Sequence, residues 1–231
     1  MDKWQSGTNH IYRESPWLLF PELDWSALTA GLTPDTFFKG SYVYHQNQTS
    51  KFVYLIKSGR VNISIINSDG KVRSLFICGE GALFGEISAF SAPENCAQAQ
   101  VVTDSLIYKI DKIKFNTILM NSNITAKNTA FILAKKVRVL TAQMESQMFP
   151  DAIKRVVNLL LYLAGQYGVI TDRGIQLNIK FSHQEVANLI GASRVTVTNA
   201  FRQLAIEGIT QKFKSRLYIL DKEKLKQMLK W

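Results

Sequence analysis

Cysteine and histidine are scarce in this chain: two cysteines and three histidines among 231 residues. Cys78 and Cys96 lack the CxxC spacing of zinc or cluster ligation, and an iron–sulfur cluster in its usual form takes four cysteines, so that cofactor is excluded. The histidines, His10, His45 and His183, are widely spaced. A lone histidine is more often structural than axial, so haem is disfavoured. No nucleophile–base pair or metal triad stands out, which leaves an enzyme using a β-barrel cavity as a remote alternative. No apolar run approaches the roughly 20 residues that span a bilayer. The first residues lack both an uninterrupted apolar stretch and a small-residue cleavage site. A cytoplasmic protein with no membrane partner is expected.

Acidic residues are the scarcer charge, 18 Asp+Glu against 28 Lys+Arg, a formal +10. The excess is uneven: residues 150–231 hold 13 basic and 6 acidic groups, a net +7, and residues 1–149 hold 15 and 12, a net +3. A polyanion partner is therefore expected at the C-terminal third. The 46% apolar and 20% charged composition is that of a globular protein, and the length favours two domains.

From about Asp35 to Ile110, short runs rich in Val, Ile, Phe and Tyr alternate with glycines, as in strands and tight turns. FVYLIKSGRVNISII predicts a Ser58-Gly59 turn between two strands, and Asp69-Gly70 predicts a hairpin. Gly79, Gly81 and Gly85 continue the punctuation, and such strands cover their edges best in a closed or nearly closed barrel or roll. Beyond Asp111, KIKFNTILM suits a short helix, and about Ile124 to Met148, free of Gly and Pro, suits a long one. Ala130, Leu133, Val137, Leu140, Met144 and Met148 form an apolar stripe, which serves either ordinary core packing or a dimer seam. Pro150 interrupts this helix, and Asp151 offers a capping acceptor for the next, AIKRVVNLLLYLAGQYG. VITDRGIQ reads as a loop and LNIKF as a short strand.

The strongest signal is SHQEVANLIGASRVTVTNAFRQLAIE, residues 182–207. Ser182 and Glu185 form a capping box. Val186, Ala187 and Ile190 face inward, and Gly191 permits a sharp turn into a second helix. Val197 and Leu204 are its apolar face; Arg194, Thr198, Asn199 and Arg202 project elsewhere, as on a helix that enters a major groove. A helix pair can also be plain packing, but cap, turn glycine and apolar offsets together favour DNA binding. ITQKFKSRLYIL then reads as a hairpin with Lys212, Lys214, Ser215 and Arg216 around its turn, either a phosphate-contacting wing or a solvated basic loop.

With these motifs the chain resembles the cyclic-AMP receptor protein and fumarate-nitrate reduction regulator family from about residue 18 to 229. SHQEVANLIGASRVTVT is similar to the global nitrogen regulator branch, and KGSYV, SDGK and LFGEI are similar to halorespiration regulators. The resemblance implies an α+β architecture: a jelly-roll-like β-roll of the cyclic-nucleotide-binding type, a long dimerisation helix and a C-terminal winged helix-turn-helix. The corresponding domains are 1–111, 112–149 and 150–231. It also implies a homodimer on a palindromic double-stranded operator, with RNA polymerase as a partner if the protein activates. Arg194 matches the family arginine that reads a guanine, which its planar fork suits. Val195 replaces a base-reading glutamate and Asn199 an arginine, so the half-site should differ from the best-known one. Ser182, Gln184, Ser193 and Thr196 match phosphate-holding positions.

GALFGEISAFSAPENCAQAQV aligns with the family's cyclic-nucleotide cassette, Gly85 and Glu86 matching residues beside the ribose. Where nucleotide binders carry arginine and serine for the cyclic phosphate, this chain has Asn95 and Cys96, so cyclic AMP loses its counter-charge. Leu140 and Thr141 stand where the receptor proteins present hydroxyls to the adenine. The expected effector is another small organic molecule, an organic acid or aromatic compound, near Glu86, Asn95, Lys135, Lys136 or Arg138; each cation taken alone reads first as solvated. The two cysteines read as buried apolar groups or, alternatively, as a redox pair. A regulator with a vestigial, effector-independent sensing site is the competing expectation.

Overall fold

The computed structural model describes residues 15–149 and 151–229; His10 and Pro150 lie outside the described residues. The described chain forms two compact units that divide between Leu140 and Thr141.

The first unit contains β1 (Trp17–Leu18), α1 (Ser26–Thr29), β2 (Asp35–Phe37), β3 (Tyr42–Tyr44), β4 (Phe52–Ile66), β5 (Val72–Cys78), β6 (Leu83–Phe84), α2 (Ile87–Phe90), β7 (Gln98–Asp111), α3 (Lys112–Asn121) and most of α4 (Asn123–Ser146). The strands make one sheet in the order β1-β5-β4-β7-β2, with β3 also on β7 and β6 also on β4. Val53, Leu55, Val61, Ile63, Phe84, Ala99 and Ile107 build its core, which Phe115 of α3 and Ile132 and Val139 of α4 complete.

Ser58-Gly59 is not a turn. β4 runs straight through it as a 15-residue strand, and its pairing with β7 shifts register between Ile56 and Val61. Gly59 has φ +93°, and a Cβ there would lie 2.5 Å from the Asp104 carbonyl oxygen and collide with Ser105 Oγ. A positive-φ glycine serves a bulge as well as a hairpin, and here close approach to β7 selects the bulge, which bends a long strand into a roll. The Asp69-Gly70 hairpin does form: Gly70 N–H donates to the Asn67 carbonyl (3.0 Å) and Asn67 Oδ1 accepts from Lys71 N–H (2.9 Å).

Along α4, Thr125, Thr129, Ile132, Lys136 and Val139 are buried at helical spacing. The apolar stripe read from the sequence is a different face. Val137, Met144 and Met148 are exposed at 62%, 74% and 72%, Ala130 is exposed, and Leu133 and Leu140 are half-buried. Apart from Leu140, which packs partly buried against the core, the stripe is therefore not core packing among the described residues.

The second unit contains α5 (Ala152–Tyr167), β8 (Gly168–Thr171), β9 (Gly174–Leu177), α6 (His183–Ile190), α7 (Arg194–Ile206), β10 (Thr210–Phe213), β11 (Arg216–Ile219) and α8 (Lys222–Met228). Asp151 occupies the N-cap of α5 with extended backbone, but its side chain makes no capping bond; its carbonyl accepts from Arg155 N–H instead. The strands pair in the order β10-β11-β9-β8. This corrects the reading of residues 168–181. VIT and GIQL are paired strands around a tight Asp172-Arg173 turn, and LNIKF leaves the sheet after Leu177. Asn178 N–H is taken by the Tyr167 carbonyl (2.8 Å) and Asn178 Oδ1 by Arg216 (2.6 Å), which removes that segment from strand pairing. Val156, Leu160 and Leu163 of α5 are buried, as are Val186, Val197, Leu204 and Leu225 on the other helices.

Candidate functional site

α6 begins where its sequence requires. Ser182 Oγ accepts from Glu185 N–H (3.2 Å) while Glu185 Oε2 accepts from Ser182 N–H (2.7 Å), closing a capping box. It ends at Gly191, whose φ +66° and ψ 45° are left-handed, and the chain re-enters helix at Arg194, three residues later. Ser193 caps α7, its Oγ accepting from Thr196 N–H (3.0 Å) and pairing with Thr196 Oγ1 (2.7 Å). Val186, Ala187, Ile190, Val197 and Leu204 are buried, which holds the two helices together.

The helical repeat of roughly 100° per residue puts Arg194, Val195, Thr198, Asn199 and Arg202 on one face of α7, opposite Val197, Ala200 and Leu204. All five are exposed. The side chains of Arg194, Asn199 and Arg202 make no hydrogen bond or ion pair among the described residues, whereas other polar groups nearby are committed internally. Gln184 Nε2 donates to Asn188 Oδ1 (2.8 Å), and Thr198 Oγ1 donates to the Arg194 carbonyl (2.9 Å). Beside this face stands the β10–β11 hairpin. Lys214 and Ser215 have φ +45° and +63°, a two-residue turn of the kind that follows strand twist. Lys212 is exposed and Lys214 lies 5.6 Å from the Phe213 ring centroid. Arg216, in contrast, is tied to Asn178.

Sequence reasoning passed over one residue of this face. His183 stacks on Phe201 with ring centroids 4.9 Å apart and 4° between planes, and its Nδ1 lies 2.9 Å from Thr198 Oγ1. Nothing in the spacing of a histidine and a threonine 15 residues apart signals that contact.

In the first unit, Gly85 and Glu86 form the turn from β6 into α2. Gly85 packs on the Tyr54 ring, within a cluster in which Tyr54 stacks on Phe84 at 5.2 Å and Tyr44 lies 5.5 Å from Tyr54. Glu86 is 1% exposed and pairs at 2.7 Å with Lys136 of α4, itself 6% exposed. Lys136 Nζ also donates to the Leu83 carbonyl (2.9 Å) and lies 5.8 Å from the Phe76 centroid, while Glu86 Oε2 has no hydrogen-bond partner among the described residues. Burial, followed by the Glu86 charge, holds the Tyr44 hydroxyl well above its ordinary value, and burial pushes the Cys78 thiol up to about 12.

Among the other candidates, Leu140 packs half-buried against the core, and Asn95 is buried with its side-chain amide donating to the Gln48 carbonyl (3.1 Å). Cys96 is exposed, and Thr141 is exposed just beyond the division of the units. Glu86 and Lys136 therefore meet directly, and the Asn95 amide ties its loop to the segment between β3 and β4. No cluster of three or more His, Cys, Asp or Glu able to hold a metal occurs among the described residues, and no described helix is long and apolar enough to cross a membrane.

Residues 34–122 match the cyclic nucleotide-binding domain family and residues 154–228 the Crp-like helix-turn-helix domain family. The chain is 28% identical over 200 residues, 87% of its length and 89% of the relative's, to the CRP-like cAMP-activated global transcriptional regulator of Mycobacterium tuberculosis. It is 29% identical to the cyclic AMP receptor protein of Thermus thermophilus, over 75% of this chain and 77% of that one. Its fold is similar to a CooA mutant from Carboxydothermus hydrogenoformans, with TM-score 0.80 and 22% identity over 92% of this chain and 98% of that one. It is also similar to OCPA-complexed CprK, with TM-score 0.76 and 19% identity over 93% and 97%. The chain belongs to the cyclic-AMP receptor protein and fumarate-nitrate reduction regulator family, and it is a DNA-binding transcription regulator, not an enzyme.

Proposed function

We propose that this regulator works in the cytoplasm as a homodimer on a palindromic operator, gated by a small organic effector other than cyclic AMP, and that it contacts RNA polymerase where it activates. In this reading 1–111 senses, 112–149 dimerises and 150–231 binds DNA. The observation that carries it is the exposed, uncommitted face of Arg194, Asn199 and Arg202 on a helix whose start is fixed by a cap and a glycine turn. Arg194 reads a guanine, and the exposed methyls of Val195 suit a thymine methyl. Thr198 contributes at the same face; Ser182, Gln184, Ser193 and Thr196 set register at the backbone, and Lys212 and Lys214 hold phosphates.

The test begins with an operator obtained by unbiased selection and measures variants at every position with two mutants. Arg194→Ala is expected to cost about 1–3 kcal/mol per contact and to relax preference at one base pair per half-site. Lys212→Ala is expected to weaken all variants equally and lower the salt slope by about one for each phosphate that it leaves without a cation. Uniform weakening by Arg194→Ala, with the ranking of variants intact, overturns its role as a base reader.

A second reading has a specific observation in its favour. Lys136 neutralises Glu86 from within the chain, so the sensing site is already charge-satisfied and the protein binds DNA without an effector. A metabolite panel separates the two: a ligand selective for the folded state raises the melting temperature, and an effector-independent regulator shows no such shift.

A further inference from the structure

We propose that His183 is a proton-gated phosphate contact, so that DNA binding takes up a proton at its Nε2. This rests on the reading of α6, α7 and the β10–β11 hairpin as the DNA face. The tautomer follows from hydrogen-bond accounting. The Thr198 hydroxyl has one proton and donates it to the Arg194 carbonyl, an acceptor only, at 2.9 Å. At its 2.9 Å contact with His183, Thr198 Oγ1 must therefore accept, which places the imidazole proton on Nδ1. The Phe201 ring covers one face of the imidazole in parallel stacking. Nε2 is left on an incompletely buried ring, with no hydrogen-bond partner among the described residues.

The neutral ring presents a lone pair at Nε2, which repels a phosphate oxygen; the protonated ring presents a charged donor. Burial holds its pKa below the ordinary 6.5, helped by the charges acting on the ring from packed elements, which are cationic: Lys212 on β10 and Arg194 on α7. On its own helix, Glu185 is engaged with Ser182. The free protein thus keeps His183 neutral at pH 7. A phosphate brought against Lys212 and the ring, while Arg194 is taken up by its guanine, reverses the balance, because an opposite charge favours the ionised imidazole. Binding that raises the pKa strengthens as pH falls, by up to tenfold per pH unit for each histidine taken through its transition.

Sheared genomic DNA is a suitable probe, since a phosphate contact needs no particular sequence. Affinities of the full chain are measured at constant ionic strength from pH 8 to pH 5.5 for wild type, His183→Gln and His183→Arg. Wild-type binding is expected to strengthen about tenfold across this range. His183→Gln should lose that part of the slope. His183→Arg, permanently charged, should bind tightly throughout without it. A readout that needs no mutant is the imidazole 15N shift of His183 at pH 7, expected to move from one bare nitrogen to two protonated ones on adding DNA. A wild-type slope retained in His183→Gln, or an Nε2 that stays unprotonated on DNA, overturns the proposal. Failure of every variant to bind at any pH instead overturns the assignment of the face.

Discussion

Lys136 and Glu86 illustrate how a residue's meaning depends on burial. On the surface such a pair would contribute little; here both charges are withdrawn from water, and each is tolerable only because the other is 2.7 Å away. Lys136→Met leaves a buried carboxylate whose Oε2 already lacks a hydrogen-bond partner among the described residues. It is expected to destabilise the chain by about 3–5 kcal/mol in urea denaturation at fixed protein concentration. Pairing it with Glu86→Gln removes the orphan charge and should restore part of the loss; a double variant no better than the single one would show that the pair is not the unit that matters. The cysteines part in the same way. Cys78 is fully buried with its thiol near 12, a protonated apolar group, while Cys96 is exposed. An aromatic disulfide reagent at pH 8 should titrate one thiol in the folded chain and two after unfolding, and rapid modification of both in the folded chain would contradict this burial.

At the scale of the element, α4 carries two faces with different fates. Thr125, Thr129, Ile132, Lys136 and Val139 are buried within the chain, and the neighbouring stripe of Ala130, Val137 and Met144 is exposed over about four helical turns. In the proposed homodimer a second copy of the helix covers this seam, with the two-fold symmetry that a palindromic site requires. Val137→Glu and Met144→Glu place charges in that seam without touching the buried face. Each is expected to sediment as a 26.1 kDa monomer at micromolar concentration where wild type has twice that mass. A wild-type monomer under the same conditions, with or without DNA, would remove the dimer from the reading.

For the whole molecule, the question is whether the cyclic nucleotide that names its domain family still governs it. Asn95 spends its side-chain amide on Gln48, Cys96 brings no charge, and Glu86 is held by Lys136. Cyclic AMP is therefore expected neither to raise the melting temperature nor to strengthen operator binding, and calorimetry giving a micromolar Kd would overturn that. Much of the architecture was legible in the sequence because its signals are local. The capping box at Ser182, the left-handed Gly191, the Asp69-Gly70 hairpin and the glycine-free stretch of α4 depend on residues a few positions apart. The Ser58-Gly59 bulge and the departure of Asn178–Phe181 from the sheet were not legible. The first depends on β7 passing within van der Waals reach, the second on Tyr167 and Arg216 claiming Asn178. The same distinction runs through the sites. Sequence alone determined the capped pair α6–α7 and which residues of α7 share its exposed face, since helical periodicity assigns faces without a partner. Only the tertiary structure decided that Lys136 belongs to Glu86 and His183 to Thr198 and Phe201, because those pairings join segments 50, 15 and 18 residues apart and follow from packing rather than from any local pattern.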